Sequence, residues 1–222
     1  SRFIKYHADN DPDSVALSFR ENVVSYEQLY ERIERLAGFL LDKQIGPGDV
    51  VGVLMKNSNA FIEVAFAVSH IGGIFLPINF RLASDETNYI CEHAEVKLLL
   101  LDEEFECSDL TADRIPIDPL CDGTVSLAAK SRRAEAVPKS PQDLFRLMYT
   151  SGTTSHPKGV MHTYENFYWK CSEHAIALSL GKATRLMVAG PLYHVGAFDL
   201  PGIGVLWQGG MLAIMRDFEP ID

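Results

Sequence analysis

Apolar residues along this chain recur with two alternating periods. Tyr26, Leu29, Tyr30, Ile33, Leu36, Ala37 and Leu40 fall at helical spacing, with Glu31, Arg32, Glu34 and Arg35 between them, which predicts an amphipathic helix. Ser25 heads it in a capping-box pattern with Gln28, each side chain satisfying an orphan backbone donor of the other. Gly46-Pro47-Gly48 predicts its stop. Residues 50–55 then form a short β-branched run, the mark of a buried strand. Asn57-Ser58-Asn59 predicts the cap of a second helix over 60–71, residues 74–78 a strand, Ser84 the start of a third helix, and 96–101 another apolar strand. Strands alternating with helices across short loops predict right-handed βαβ units on a parallel sheet, an α/β doubly wound layer.

The rhythm breaks over 102–141. An acidic run (Asp102, Glu103, Glu104, Glu106, Asp109) and the prolines Pro116, Pro119, Pro138 and Pro141 read as a solvated connection holding one or two short strands. Periodicity resumes with a strand over 144–149, a helix over 164–178 capped by Thr163, and a strand over 185–189. A helical stretch over 197–207, despite Pro201 and Gly202, and a last strand over 211–215 complete the pattern. The expected division is a first α/β subdomain over 1–140, with 102–141 as its irregular connecting segment, and a second part over 142–222 that starts another sheet and leaves it incomplete.

Composition acts mainly by exclusion. With 47% hydrophobic and 23% charged residues among 222, the chain can build a full core without staples; collagen, coiled coil, disordered and disulfide-miniprotein classes are excluded. The net charge of −10 lies in the first half, where residues 1–110 hold 19 acids and 9 bases, while 111–222 balance. No basic stripe results, so nucleic acid is not an expected partner. The neutral half is where a polyanion docks with least repulsion. Cys91, Cys107, Cys121 and Cys171 form no CxxC pair, and without a signal segment they predict reduced thiols in a cytoplasmic chain. Cys91 and His93 make at most half a metal site, with no second half at zinc-like spacing. The apolar stretch over 61–80 is interrupted by Glu63, His70, Gly72, Gly73 and Pro77, and reads as buried helix then strand, not as a transmembrane segment.

The chemistry concentrates in Y-T-S-G-T-T-S-H-P-K-G-V, residues 149–160. Residues 150–155 supply five hydroxyls and Gly152, and Lys158 follows. Such a loop can wrap a polyphosphate: backbone N–H groups and hydroxyls donate to oxygens, the lysine adds a compact charge, and glycine permits close approach. It is not a Walker A loop, because five residues separate Gly152 from Lys158 and Gly159 follows the lysine. Ser155 and Lys158 also spell S-x-x-K, the nucleophile signature of serine acylases, but that motif needs a helical turn and Pro157 and Gly159 are poor helix formers. On residue types alone, an unliganded Ser/Thr-rich loop stays open as the alternative. Downstream, Pro191-Leu192-Tyr193-His194 follows the strand over 185–189, and open α/β sheets gather ligands beyond the carboxyl ends of strands. His194 and Asp199 form H-x4-D, which lacks the H-x3-D spacing of an acyltransferase. His156 and His162 flank the loop and are assigned no catalytic role.

The 149–160 string resembles the phosphate-binding signature of the adenylate-forming superfamily: acyl-CoA synthetases, aryl-CoA ligases, luciferases and the adenylation domains of peptide synthetases. Ser155 stands where many members have glycine. V-S-Y-E-Q-L (24–29), G-P-G-D-V-V-G-V (46–53), Gly72-Gly73 with Pro77-Ile78-Asn79, and P-L-Y-H-V-G-A (191–197) are similar to other stretches of that family. The resemblance therefore spans nearly the whole chain and falls on the acyl-CoA synthetase branch. It implies ATP, Mg²⁺ and coenzyme A as reactants with a fatty or aryl carboxylic acid. It implies a phosphate cradle of Thr150, Ser151, Gly152, Thr153, Thr154, Ser155, Lys158 and Gly159, with Thr150 reaching the metal. Lys158 and His194 are the implied catalytic residues, and Tyr193, His194, Val195 and Gly196 the implied acyl pocket. A homodimer stays open.

The same resemblance implies a longer protein. Y-G-x-T-E, Y-x-T-G-D, a hinge and a C-terminal domain bearing a lysine belong to the family pattern, and none occurs in these residues. The chain is thus expected to be an N-terminal fragment, without the C-terminal catalytic domain and inactive alone. Two rival readings are adenylation without CoA transfer, as in an amino-acid-activating domain, and a non-catalytic nucleotide-binding module.

Overall fold

Strand β3 (Val50–Leu54) is buried along its whole length, and its neighbours explain why. It pairs in parallel with β4 (Ile74–Pro77) on one side and β5 (Val96–Asp102) on the other. Alternate residues enter different cores: Val51 and Val53 share one with Leu98 and Leu100, while Val50 and Leu54 share the other with Leu99 and Leu101. A parallel strand covered on both faces reads as an unbroken apolar run. The computed structural model describes residues 1–150 and 157–217.

From β3 the chain crosses to β4 through α3 (Asn59–His70), then steps back over β3 to β5 through α4 (Ser84–His93). Right-handed crossovers in opposite directions put the two helices on opposite faces, and α3 packs with Val51 while Ile90 and Cys91 of α4 pack with Val50. The chain leaves β4 back towards β5, whereas the adjacent strand β7 (Leu144–Thr150) leads away from it to β8 (Lys158–Thr163); such divergence between neighbouring strands is the kind of switch point at which doubly wound sheets receive ligands. The full sheet runs β6 (Arg114–Ile117), β5, β3, β4, β7, β8. All neighbours are parallel except β7 and β8, which form an antiparallel hairpin.

A second sheet has the order β2 (Asn22–Ser25), β1 (Val15–Phe19), β10 (Met211–Ile214), β9 (Arg185–Val188). Helices α1 (Arg2–Asn10), α2 (Tyr26–Asp42) and α3 share one core with residues of both sheets, among them Leu17, Ile33, Val64, Val53 and Leu212. The caps expected from sequence form as hydrogen bonds: Gln28 N–H to Ser25 Oγ at 3.3 Å with Ser25 N–H to Gln28 Oε1 at 2.9 Å, and Asn166 N–H to Thr163 Oγ1 at 3.3 Å.

Several boundaries differ from expectation. Helix α2 ends at Asp42, before Gly46, and Gln44 leaves it in the left-handed region at φ 62°. The segment over 102–141 holds one short strand, β6, within expectation, and adds a short helix α5 (Gly123–Ala128) that was not expected. After α6 (Tyr164–Ala177), the expected helix over 197–207 is broken into α7 (Val195–Ala197), a kinked turn over Phe198–Gly202 with Leu200 and Pro201 outside helical geometry, and α8 (Ile203–Trp207). Among the described residues no helix is long and apolar enough to cross a membrane.

Candidate active site

Strands β4 and β7 run in the same direction, so Pro77 and Thr150 end at one edge of the sheet beside the switch point. A cavity of about 900 Å³ opens there. One wall is the chain after β4 (Ile78, Asn79, Leu82), a second is α4 (Asp85, Glu86, Tyr89), a third is the hairpin (Tyr149, Thr150, Pro157), and the fourth is Tyr193, His194 and Val195. A smaller cavity of about 570 Å³, walled by Phe66, Phe145 and Phe167 among others, contains none of the expected site residues.

Thr150 and Lys158 are both exposed and face each other across the hairpin. Ser151, Gly152, Thr153, Thr154, Ser155 and His156 lie outside the described residues, so the two ends define the loop. Lys158 opens a strand rather than a helix, which removes at its lysine end the helical stacking that S-x-x-K needs. Gly159 pairs with Tyr149, and a Cβ there would sit 3.2 Å from the Tyr149 ring. That ring is held from α4, where His93 Nδ1 lies 2.6 Å from the Tyr149 hydroxyl.

His194 is exposed and caps α7, its Nδ1 accepting from Gly196 N–H at 3.3 Å. An accepting Nδ1 makes Nε2 the N–H donor of the neutral ring, and Nε2 has no partner among the described residues. Tyr193 packs edge-on against Phe80 at 5.4 Å, and Phe80 stacks on Phe105 at 5.3 Å. Gly196 follows on the exposed turn.

Sequence reasoning gave Asn57 only a capping role, yet it holds this segment in place. At 4% exposure its Oδ1 accepts from Leu192 N–H at 2.7 Å, and its amide donates to Gly190 O at 2.8 Å and Met215 O at 3.0 Å. The end of β3 in one sheet thereby clasps the ends of β9 and β10 in the other. Arg146 was not singled out, and Asp199 was weighed only in H-x4-D with His194; each is a lone charge inside an apolar run, L-F-R-L-M and A-F-D-L. His162, flanking the loop, turns to Arg146 and accepts from its Nη2 at 2.8 Å.

The Cys91–His93 half-site does not assemble: Cys91 is buried in the core, His93 is engaged by Tyr149, and among the described residues no group of three His, Cys, Asp or Glu could hold a metal. The donors that line the cavity from the hairpin and the opposite wall are the Thr150 hydroxyl and the His194 imidazole N–H, with the Lys158 ammonium paired across from Thr150; this side suits an anion, while Asp85 and Glu86 line the α4 wall. A hard divalent cation keeps few protein ligands when it arrives with phosphates, and the Thr150 hydroxyl fits such a shared role.

Fold and site together describe a class, an α/β protein with a cavity at the carboxyl edge of a doubly wound sheet. The chain belongs to the AMP-binding enzyme family, whose sequence profile matches residues 4–222. It is 31% identical over 211 residues to feruloyl-CoA synthase of Amycolatopsis sp, and 30% identical over 217 residues to 2-succinylbenzoate–CoA ligase of Geobacillus sp. (strain WCH70). Each match takes in 94% of this chain but 42% and 41% of the two relatives, so the chain spans less than half the length of either. O-succinylbenzoate coenzyme A synthetase (MenE) from Bacillus subtilis, in complex with AMP, superposes with a TM-score of 0.88 at 23% identity, over 98% of this chain and 56% of that one. ATP-bound MatB from Rhodopseudomonas palustris gives 0.87 at 23% identity, over 98% and 45%.

Proposed function

We propose that this chain is the N-terminal part of an ATP-dependent acid–CoA ligase acting on an aryl or fatty acid. The observation that carries the reading is the shared edge: Thr150 and Pro157, on either side of the hydroxyl loop, line the same cavity that Tyr193, His194 and Val195 wall, and Lys158 pairs with Thr150. A carboxylate is a poor electrophile. The ligase lets one carboxylate oxygen attack the α-phosphate of ATP, which forms an acyl-adenylate and expels pyrophosphate. The thiol of coenzyme A then attacks the acyl carbon, displaces AMP and leaves the thioester.

In the first step negative charge builds on the departing pyrophosphate, so fixed donors around it stabilise the transition state. Thr150, Ser151, Gly152, Thr153, Thr154, Ser155, Lys158 and Gly159 form that cradle in this proposal, with the Lys158 ammonium as its charge and the Thr150 hydroxyl facing the metal. Mg²⁺ bound with the nucleotide would neutralise phosphate charge. His194 offers its Nε2–H to the acid's carboxylate, and Tyr193, Val195 and Gly196 line the acyl pocket. The feruloyl and succinylbenzoate ligases among the relatives support an acid that carries an aromatic ring.

Incubating the intact protein with ATP, Mg²⁺, coenzyme A and a panel of aryl and fatty acids tests the proposal, and accumulation of a thioester is the expected result. Acid-dependent pyrophosphate exchange without thioester would reassign the protein to adenylation without CoA transfer. Calorimetric ATP·Mg²⁺ binding without exchange would make it a nucleotide-binding module. A cytoplasmic location belongs to the same proposal, supported by the four free cysteines and checked by fractionation; sedimentation decides whether it is a homodimer.

A further inference from the structure

Arg146, in the middle of β7, and Asp199, in the kinked turn after α7, are 0% and 1% exposed. The guanidinium meets the carboxylate with both prongs, Nη1 to Oδ1 at 2.8 Å and Nη2 to Oδ2 at 2.7 Å. Nη2 also donates to His162 Nδ1 on β8 at 2.8 Å, and Lys170 on α6 donates to the same Oδ2 at 3.1 Å. The rings of Phe167 and Phe198 lie 4.9 and 5.6 Å from the guanidinium carbon. Four segments of the chain thus converge on one ion pair.

Stability does not account for this arrangement. A buried pair must recover the desolvation of both ions, and packed apolar side chains of similar volume often serve a core as well or better. What the pair supplies is direction, because a planar fork bonded at two points fixes angle as well as distance between the segments that carry it. Those segments are the two halves of the site. Strand β7 carries Thr150 four residues beyond Arg146, and its hairpin partner β8 carries Lys158. Asp199 lies five residues after His194, on the turn that α7 feeds.

We propose that Arg146 and Asp199 are positioning residues whose bidentate pair, braced by His162 and Lys170, holds the phosphate-binding hairpin and the acyl-pocket segment in register. The catalytic consequence rests on the ligase reading; the positioning rests on the geometry alone. Adenylation needs the acid's oxygen about 3–3.5 Å from the α-phosphate. A small swing of residues 191–200 relative to the hairpin therefore slows the step, while each substrate stays bound by its own half.

The test uses the intact protein with two variants, the apolar double Arg146→Met/Asp199→Leu and the isosteric Asp199→Asn. Thermal melting, amide hydrogen exchange and acid-dependent pyrophosphate exchange are measured on each. The double variant is expected to melt close to the parent while amides over 191–202 lose protection and those of α3 keep it. Adenylation kcat falls by about 10–100-fold, and KM for ATP and acid changes by less than about threefold, the pattern of an interaction that matters in the transition state. Protection over 191–202 that matches the parent overturns the proposal whatever the activity, and so does lost protection with kcat unaltered. A parent that forms no adenylate with any acid defeats the ligase reading instead, and the amide pattern still decides the positioning. If the double variant fails to fold, Asp199→Asn, which preserves shape, carries the same readouts.

Discussion

In the proposed ligase, Lys158 and Asn57 would serve the site in two different ways. Lys158 is exposed and engages no carboxylate among the described residues, so its charge is available to a ligand. Lys158→Ala in the intact protein is expected to lower acid-dependent pyrophosphate exchange by about 1–3 orders of magnitude, or about 1–4 kcal/mol of barrier. Because the side chain is exposed, the melting temperature should not move; unchanged exchange would remove Lys158 from the mechanism. Asn57 acts from within, and its loss strands the N–H of the buried Leu192 and takes a partner from Gly190 O. Asn57→Leu should cost about 1–3 kcal/mol of stability, the range for one buried group left unsatisfied. It should also raise KM for the acid more than KM for ATP, since the 191–194 segment is what it holds; equal effects on both would count against that role. Lys158 stands out in the sequence because it closes a run of small hydroxyl residues. Asn57 does not, because N-S-N reads as a cap and the neighbouring Ser58 does cap α3, accepting from Phe61 N–H at 3.3 Å, while the partners of Asn57 lie more than a hundred residues away.

At the level of elements, legibility followed burial. Strands β3 and β5 and helix α3, all enclosed, announced themselves as apolar runs. Strand β8 did not, because Val160 and Met161 are 42% and 65% exposed and leave no alternation to read. The short pair β1 and β2 was missed as well: Val15 to Ser25 is too brief for either period to stand out, and its register depends on β10, as in Leu17 opposite Leu212. Helix α2 shows a constraint that pattern alone conceals. Gly38 sits in its middle, where glycine ordinarily costs about 0.5–1 kcal/mol relative to alanine. A Cβ at that position would lie 1.8 Å from the Arg132 carbonyl oxygen, because the connecting segment crosses the helix there and Ala134 N–H donates to Glu34 O at 3.0 Å. The usual sign is therefore reversed. Gly38→Ala should destabilise the chain by about 1–3 kcal/mol, the range for overpacking, in urea unfolding; a gain in stability would mean that the segment over 129–134 does not press on α2.

On the scale of the whole molecule, the response to acid sums contributions of opposite sign. Burial holds the Glu63 carboxyl above its ordinary range against the pull of Arg32, and does the same to Asp102 against Lys56 N–H and Arg216. Both groups accept a proton more readily in the folded chain, so their protonation adds stability as pH falls. His70 acts in the other direction. It is fully buried, its Nε2 donates to Ala134 O at 3.0 Å, and its Nδ1 has no partner among the described residues. Burial, with the nearby Lys139 charge adding to it, lowers its pKa from 6.5 to about 4. The unfolded chain then binds the proton first. The His70 contribution is complete above pH 6.5, declines as pH falls towards 4 and is lost below that, a difference of about 3 kcal/mol. His162 is shifted the same way by burial and by Arg146. A single stability curve would mix these terms, and a substitution separates them. His70→Gln keeps a donor for Ala134 O and does not titrate, so the stability of the parent relative to this variant should fall by about 3 kcal/mol between pH 6.5 and 4 in urea unfolding. A relative stability constant across that window would show that His70 accepts a proton inside the core as readily as in water, and that the helix and connecting segment around it open to let water reach Nδ1.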